Sequence, residues 1–165
     1  MARPSKRRWA RIVLLLIFLA AGSVAFAWYK FFREEPEPRW ASEAERFKYG
    51  SIGAESARGI PYWIWLVLPR VFPEFLPGSG GYKSFGLVWE EGHEMPVGFT
   101  KRVIGFPRVA NNCAICHVGT WRGTANEAPH VVVASPANTV NVQELLRFLA
   151  KCGADARFNA STLLA

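Results

Sequence analysis

An apolar run near the N-terminus is the feature that most restricts how this chain can fold. Residues 12–29 read IVLLLIFLAAGSVAFAWY and contain no charged side chain. As a helix, a run of this length extends for about 27 Å, close to the roughly 30 Å hydrocarbon layer of a bilayer. The run predicts a membrane-directed helix, so any globular domain has to be built from the residues that follow it.

The charges on either side of this run predict its orientation. Basic residues without any acidic residue precede it, and the acidic stretch EEPEP follows soon after it. Basic flanks stay on the cytoplasmic side of a membrane. Residues 1–11 are therefore predicted to be a cytoplasmic basic segment, and the chain after Tyr29 to be exported. In a bacterium this places the domain in the periplasm, at the inner membrane.

The apolar run has features of both an anchor and a signal peptide. Ala25-Phe26-Ala27 has the small-x-small form that a signal peptidase accepts, whereas the run is longer than a usual signal core. Trp28 and Tyr29 suit the aromatic belt at a membrane surface. We expect a retained transmembrane anchor over residues 12–29. The alternative is cleavage near Ala27, which would give a soluble periplasmic protein.

The formal net charge of +7 does not indicate a nucleic-acid partner. Residues 31–165 carry 14 basic and 13 acidic side chains, because the excess positive charge lies almost entirely in residues 1–30. A nearly neutral domain lacks the basic patch that binding to a phosphate backbone requires. We expect no nucleic acid among the partners.

The middle of the chain predicts loops around short elements. Residues 30–45 read as a linker, and a short polar helix is predicted over residues 41–47. The apolar run over residues 61–69 is bounded by prolines and is too short to span a bilayer. We expect it to pack on the core. The alternative is that Trp63 and Trp65 enter the membrane surface.

The second half is predicted to contain one short hairpin and one clear helix. Residues 73–107 are rich in Gly and Pro, with possible pairing of residues 87–89 with residues 102–104. Asn141 is predicted to begin a helix that Gly153 ends, since apolar residues recur there at helical spacing. Cys152 falls on the apolar face of that helix, so we expect it to be buried.

The stretch NNCAICHVGTWRG, residues 111–123, carries the chemistry. Cys113, Cys116 and His117 have the C-x-x-C-H spacing at which two thiols reach the vinyl groups of one haem and the imidazole reaches its iron. The motif predicts one covalently bound haem c, with the two cysteines as thioether anchors and His117 as the proximal ligand.

Two other interpretations of the cysteines are weaker. A structural zinc site needs four ligands, and the chain outside the motif offers Cys152, His93 and His130 without a second paired knuckle. A thioredoxin-like redox pair requires a βαβ setting, which the flanking loops do not predict.

The ligand on the other face of the iron is open. No methionine follows His117, and Met95 is the only methionine besides the initiator. The candidates are His130, His93 and Met95. Trp121 and Arg122 follow the motif closely enough to pack on the haem edge or to meet a propionate.

Several stretches are together similar to one family of exported proteins. FKYGSIG, PYWIWLVLPRVFPEFLPG, GLVWEEG, PVGFTKRVIGFPRV and NNCAICHVGTWR resemble the front of the di-haem cytochrome c peroxidase and rubber-oxygenase group. The resemblance covers roughly residues 46–165. It implies a c-type haem domain there, with Cys113, Cys116 and His117 as the haem-binding residues. In that group a second haem motif comes later in a longer chain, and this sequence does not contain one.

The sequence thus predicts a mainly α, c-type cytochrome-like haem domain with long loops, preceded by one transmembrane or signal helix. RFNASTLLA looks like a helix that is just starting, capped by Asn159 or Ser161, so we expect the domain over residues 46–165 to be incomplete at its C-terminus. The expected function is electron transfer to an unknown redox partner protein. The alternatives are the haem-bearing front of a di-haem peroxidase- or oxygenase-like enzyme and a zinc-stabilised interaction module.

Overall fold

A long, isolated helix begins the described chain. The computed structural model describes residues 6–136 and 138–165, so Arg3, in the predicted basic segment, lies outside the described residues. Helix α1 (Lys6–Phe31) contains the apolar run, and none of its residues is buried. Its most apolar window has a mean hydropathy of 2.3. The predicted helix is confirmed, and it is long and apolar enough to be a membrane anchor or a signal sequence.

A small body of short elements follows α1. The helices are α2 (Glu43–Tyr49), α3 (Ala54–Arg58), α4 (Tyr62–Val71), α5 (Val142–Ala154) and α6 (Ala160–Leu163). The strands are β1 (Ile60–Pro61), β2 (Phe99–Ile104), β3 (Phe106–Asn111), β4 (Val118–Trp121) and β5 (His130–Val133). The described chain is about 48% helical. The prediction of a mainly α fold is therefore confirmed in part, because small sheets accompany the helices.

The larger sheet is antiparallel and has the strand order β1-β3-β2. Strands β2 and β3 form a hairpin in which Ile104 lies opposite Phe106. The turn residue Gly105 has a φ of +72°, in the region that favours glycine. The predicted pairing of residues 87–89 with residues 102–104 is wrong. The second of these segments pairs with the strand directly after Gly105, because a tight turn brings neighbouring strands together at little entropic cost.

The main core lies between α4, α5 and two 3₁₀ turns at Pro73–Phe75 and Gly81–Phe85. Trp65 is 4% exposed and stacks on Tyr82, whereas Trp63 is 45% exposed. The expected packing of residues 61–69 is thus found, and Trp65 is not available to a membrane surface. The buried members of this core are Trp65, Leu68, Phe72, Tyr82, Phe85, Leu87, Met95, Phe99, Val109, Ile115, Leu145, Phe148 and Cys152.

The two C-terminal helices begin at the predicted caps. The Asn141 side chain accepts a hydrogen bond from the Glu144 N–H at 3.1 Å, and α5 continues one residue beyond Gly153. The Asn159 side chain caps α6 in the same way. Cys152 is fully buried, as expected from its place on the apolar face of α5.

Candidate haem-attachment site

The C-x-x-C-H motif forms one tight turn between β3 and β4. A 3₁₀ turn covers Cys113–Ile115, and the Cys113 carbonyl accepts from the backbone N–H of Cys116 at 3.3 Å and of His117 at 3.1 Å. Asn112 caps this turn, because its Oδ1 accepts from the Ala114 N–H at 2.9 Å. The five motif residues therefore share one compact, hydrogen-bonded loop.

Some side chains of this loop are buried against the body and others are exposed. Ala114 is 0% exposed and Ile115 is 5% exposed, so they fix the turn against the body. Cys113, Cys116 and His117 are all exposed. The two thiols and the imidazole are therefore accessible to a large planar group without any unfolding of the turn.

Asn112 ties the turn to a distant part of the chain. Its Nδ2 donates to the Gly50 carbonyl at 2.9 Å and to the Lys48 carbonyl at 3.3 Å. Its backbone N–H donates to the Gly98 carbonyl at 2.9 Å. Asn112 is only 4% exposed, and each of these buried groups would be costly to leave unpaired.

Gly98 makes the close packing of the turn possible. It has a φ of +88°, and a Cβ built on it would lie less than 3.0 Å from the backbone N and Cα of Ile115. Any side chain at this position would push the motif away from the body. On the other side of the turn, the Asn138 side chain donates to the Cys116 carbonyl at 3.0 Å.

The three cysteines are all free, and they have different surroundings. Burial raises the pKa of the Cys152 thiol to about 11. Within residues 6–136 and 138–165, the only group of three His, Cys, Asp or Glu side chains close enough to share a metal ion is Glu45, Glu90 and His93. The motif residues do not converge with a further ligand in that way.

Comparison of the chain with protein-family models, with curated proteins and with solved structures gives no match. The resemblance to the di-haem peroxidase and rubber-oxygenase group stays a prediction.

The three candidates for the second axial ligand lie in different environments. Met95 is 6% exposed and belongs to the main core. His93 stacks on Tyr49 with ring centroids 4.1 Å apart. His130 is exposed, and its Nε2 lies 2.6 Å from the Glu127 carboxylate. Burial of Met95 in the core makes it the least accessible of the three, and the identity of the ligand stays a prediction.

Trp121 and Arg122 line a cavity of about 560 Å³ just beyond the motif. Trp121 pairs across the β4–β5 sheet with His130 and stacks on its ring at 4.5 Å. Lys83 and Arg122 both contribute to the wall, so the cavity presents two basic groups beside aromatic surface. This setting is compatible with the predicted roles of Trp121 and Arg122 at a haem edge.

A second, mostly apolar cavity of about 460 Å³ is lined by residues of β3 and α5. Ile115 and Asn111 belong to its wall, but none of the three haem-binding candidates does. Its size is typical of small-molecule sites. Its apolar wall is formed largely by Ile52, Ile60, Trp65, Phe99, Val142, Leu145, Leu146 and Leu149.

A polar cluster includes Lys48, whose carbonyl accepts a hydrogen bond from Asn112 in the turn. This cluster was not predicted from the sequence. Lys48 Nζ lies 2.5 Å from Glu90 and 2.9 Å from Glu45, and Tyr49 donates to Glu90 at 2.7 Å. Burial alone would raise the pKa of Glu90, but the hydrogen bonds from Lys48 and Tyr49 outweigh it and lower that pKa. The Lys48 ammonium already pairs with both carboxylates and balances one of their two negative charges, which argues against a metal ion among them.

Proposed function

We propose that this chain binds one haem c covalently through Cys113, Cys116 and His117, and that it transfers electrons on the outer side of a membrane. One observation carries the proposal. The three side chains are exposed on a single turn whose backbone is fixed by buried neighbours. A zinc knuckle or a buried structural cysteine would be expected to turn these groups inward.

The donor set fits a haem. The Cys113 and Cys116 thiols are free to add across the two vinyl groups, an addition in which each S–H supplies both the sulfur and the hydrogen. The His117 imidazole then supplies one axial nitrogen. When bound, the haem supplies reversible one-electron chemistry, and the protein holds and orients it. Arg122 and Lys83 would balance the charge of its propionates.

The membrane arrangement is part of the same proposal. In this proposal helix α1 is an anchor in the bacterial inner membrane and the haem domain lies in the periplasm. The length and hydropathy of α1 and the charges on either side of it support this arrangement. Cleavage near Ala27, giving a soluble periplasmic domain, is the alternative. Either arrangement agrees with haem attachment, which bacteria carry out outside the cytoplasm.

Covalent attachment is tested by expressing the full chain in a host that has haem-maturation machinery. The haem should remain with the protein through denaturation and acid-acetone extraction. Replacing both Cys113 and Cys116 by Ala should release it, whereas Cys152→Ala, the matched control, should retain it. Loss of haem from the unmutated chain under the same treatment would refute the assignment.

A second candidate function is the N-terminal haem domain of a di-haem enzyme similar to the peroxidase and rubber-oxygenase group. The burial of Met95 favours this candidate, because it removes the most accessible route to a methionine ligand, and the second axial position is then open to a substrate unless His93 or His130 occupies it. Binding of carbon monoxide to the ferrous haem separates the two candidates.

A further inference from the structure

The chain that leaves α1 is not a free tether, because it pairs with the β2–β3 hairpin. The Gly105 N–H donates to the Arg33 carbonyl at 2.7 Å, and the Glu35 N–H donates to the Val103 carbonyl at 3.0 Å. Glu34 and Ile104 form the antiparallel bridge between these two hydrogen bonds. Residues 33–35 therefore extend the sheet by a short fourth segment beside β2.

The tip of the hairpin touches the end of α1 directly. A Cβ built on Gly105 would lie less than 3.0 Å from the Lys30 carbonyl oxygen and from the Phe31 Cα. These atoms are backbone, so they cannot move aside as a flexible side chain could. Glycine at position 105 thus permits both the tight turn and the contact with the helix.

This contact fixes the depth of the hairpin relative to the apolar run. Tyr29 is the last residue of that run, and Lys30 is the first charged residue after it. Gly105 contacts Lys30 and Phe31, so the tip lies less than one helical turn, about 5.4 Å, beyond the end of the run. At this depth a membrane-spanning α1 would place the tip among the lipid headgroups.

The side chains around the tip suit that environment. Trp28, Tyr29, Phe31 and Phe32 are all more than half exposed. Phe106 is partly exposed, and the Arg108 guanidinium lies 4.5 Å from its ring centre. Aromatic rings flanked by guanidinium groups are typical of membrane interfaces.

We propose that the hairpin tip, residues 104–106, lies in the headgroup layer of the membrane, docked on the end of α1. The domain is then held at one orientation to the bilayer, and the partner that the tip contacts is the lipid surface. This inference rests on the proposed membrane anchoring and extends it from a tether to a fixed docking geometry.

Photocrosslinking in vesicles of phosphatidylethanolamine and phosphatidylglycerol tests this geometry without depending on haem. The full chain carries Phe106→p-benzoylphenylalanine, and the control carries the same residue at Glu91, which is exposed in a loop. We expect lipid adducts at position 106 and none at position 91. Resistance to alkaline carbonate is measured on the same vesicles as an independent readout of anchoring.

Two second-site variants test the docking itself. Gly105→Ala introduces the overlap with α1, and Gly92→Ala is the matched control, since Gly92 has a φ of +79° and no atom within 4 Å of its Cβ position. Glu35→Pro removes the N–H that pairs with Val103 and leaves the hairpin sequence intact. Lipid adducts at position 106 should fall to the level of the Glu91 control in Gly105→Ala and in Glu35→Pro. They should persist in Gly92→Ala.

The outcomes separate this inference from the anchor. Carbonate-resistant protein without lipid adducts at position 106 would overturn the docking and leave the anchor in place. Adducts that persist unchanged in both disruptive variants would overturn the role assigned to Gly105 and to residues 33–35. Release of the unmutated chain by carbonate would refute the anchoring, and this inference with it.

Discussion

The side-chain amide of Asn112 donates to the carbonyl of Gly50 at 2.9 Å and so joins the C-x-x-C-H motif to the chain 62 residues before it. This bond fixes the turn before any cofactor is bound. It also makes Asn112 the residue whose loss should disturb the site most without altering a haem-binding group.

Asn112→Ala should lower the free energy of unfolding by about 1–3 kcal/mol, because it removes the side-chain hydrogen bonds to the Gly50 carbonyl and the Ala114 N–H. Haem incorporation should fall as well. Denaturant unfolding of the full chain in detergent and the haem-to-protein ratio measure the two effects. Asn126→Ala, at an exposed loop position, should change neither. An unchanged unfolding midpoint in Asn112→Ala would contradict this prediction.

Gly98→Ala should destabilise the motif more than the same change at Gly53. Both glycines have a positive φ, +88° and +85°, so both variants pay the conformational cost of roughly 1–3 kcal/mol. Only at Gly98 does the new methyl group overlap the Ile115 backbone, whereas the space at Gly53 is open. The difference between the two unfolding free energies measures the contact. Equal effects would mean that Gly98 serves only its backbone conformation.

Acid should lower the free energy of unfolding by protonating Glu90. Its pKa is lowered in the folded protein from the ordinary value of 4.5, so its contribution to stability is present above that value and is lost as the pH falls through the lowered pKa. Glu90→Gln should cost roughly 1–3 kcal/mol at neutral pH, since Lys48 loses a charged partner. Unfolding curves at a series of pH values should show a weaker acid dependence in this variant. Glu91→Gln, beside it and exposed, should keep the full dependence.

The iron should have no methionine ligand. If no side chain of this chain occupies the second axial position, the ferrous haem should be high-spin and should bind carbon monoxide readily. Met95→Leu should leave the absorption spectrum unchanged because Met95 is a core residue. His130→Ala should change the spectrum little. Conversion of a low-spin spectrum to a high-spin one by that variant would identify His130 as the ligand and favour simple electron transfer. A sulfur-to-iron charge-transfer band in the ferric protein would instead point to Met95.

A reporter enzyme fused after Ala165 should be active only when it functions outside the cytoplasm, since the basic residues precede α1 and the domain follows it. Alkaline carbonate should not extract the fusion from membranes. A soluble mature protein that begins at Trp28 would show that Ala25-Phe26-Ala27 is cleaved. Activity of a cytoplasmic reporter would contradict the orientation.

Local patterns were readable from the sequence. Asn141 and Glu144 lie three residues apart and form the cap of α5 within one turn, and Cys152 follows the apolar face of the same helix. Both features depend on neighbours along the chain. Helical periodicity and capping chemistry are therefore enough to find them.

Long-range relationships could not be read in this way. Asn112 has its partners at Lys48 and Gly50, and the overlap that a side chain at Gly98 would cause is with Ile115, 17 residues later in the chain. Nothing in the local sequence distinguishes these residues from an ordinary loop asparagine or glycine. The hairpin partner was missed for a related reason, since residues 87–89 have as apolar a composition as a strand and only the turn at Gly105 selects β3.

The burial of Cys152 decides which thiols can react in an oxidising compartment. In an exported domain, a third accessible thiol would compete for disulfides with Cys113 and Cys116. Cys152 has no exposed surface and its pKa is raised to about 11, so it carries little thiolate and cannot be reached. Oxidation of exposed thiols is therefore confined to the pair within the motif. If the motif binds haem as proposed, a single reduction step returns both sulfurs to the form that adds to the vinyl groups.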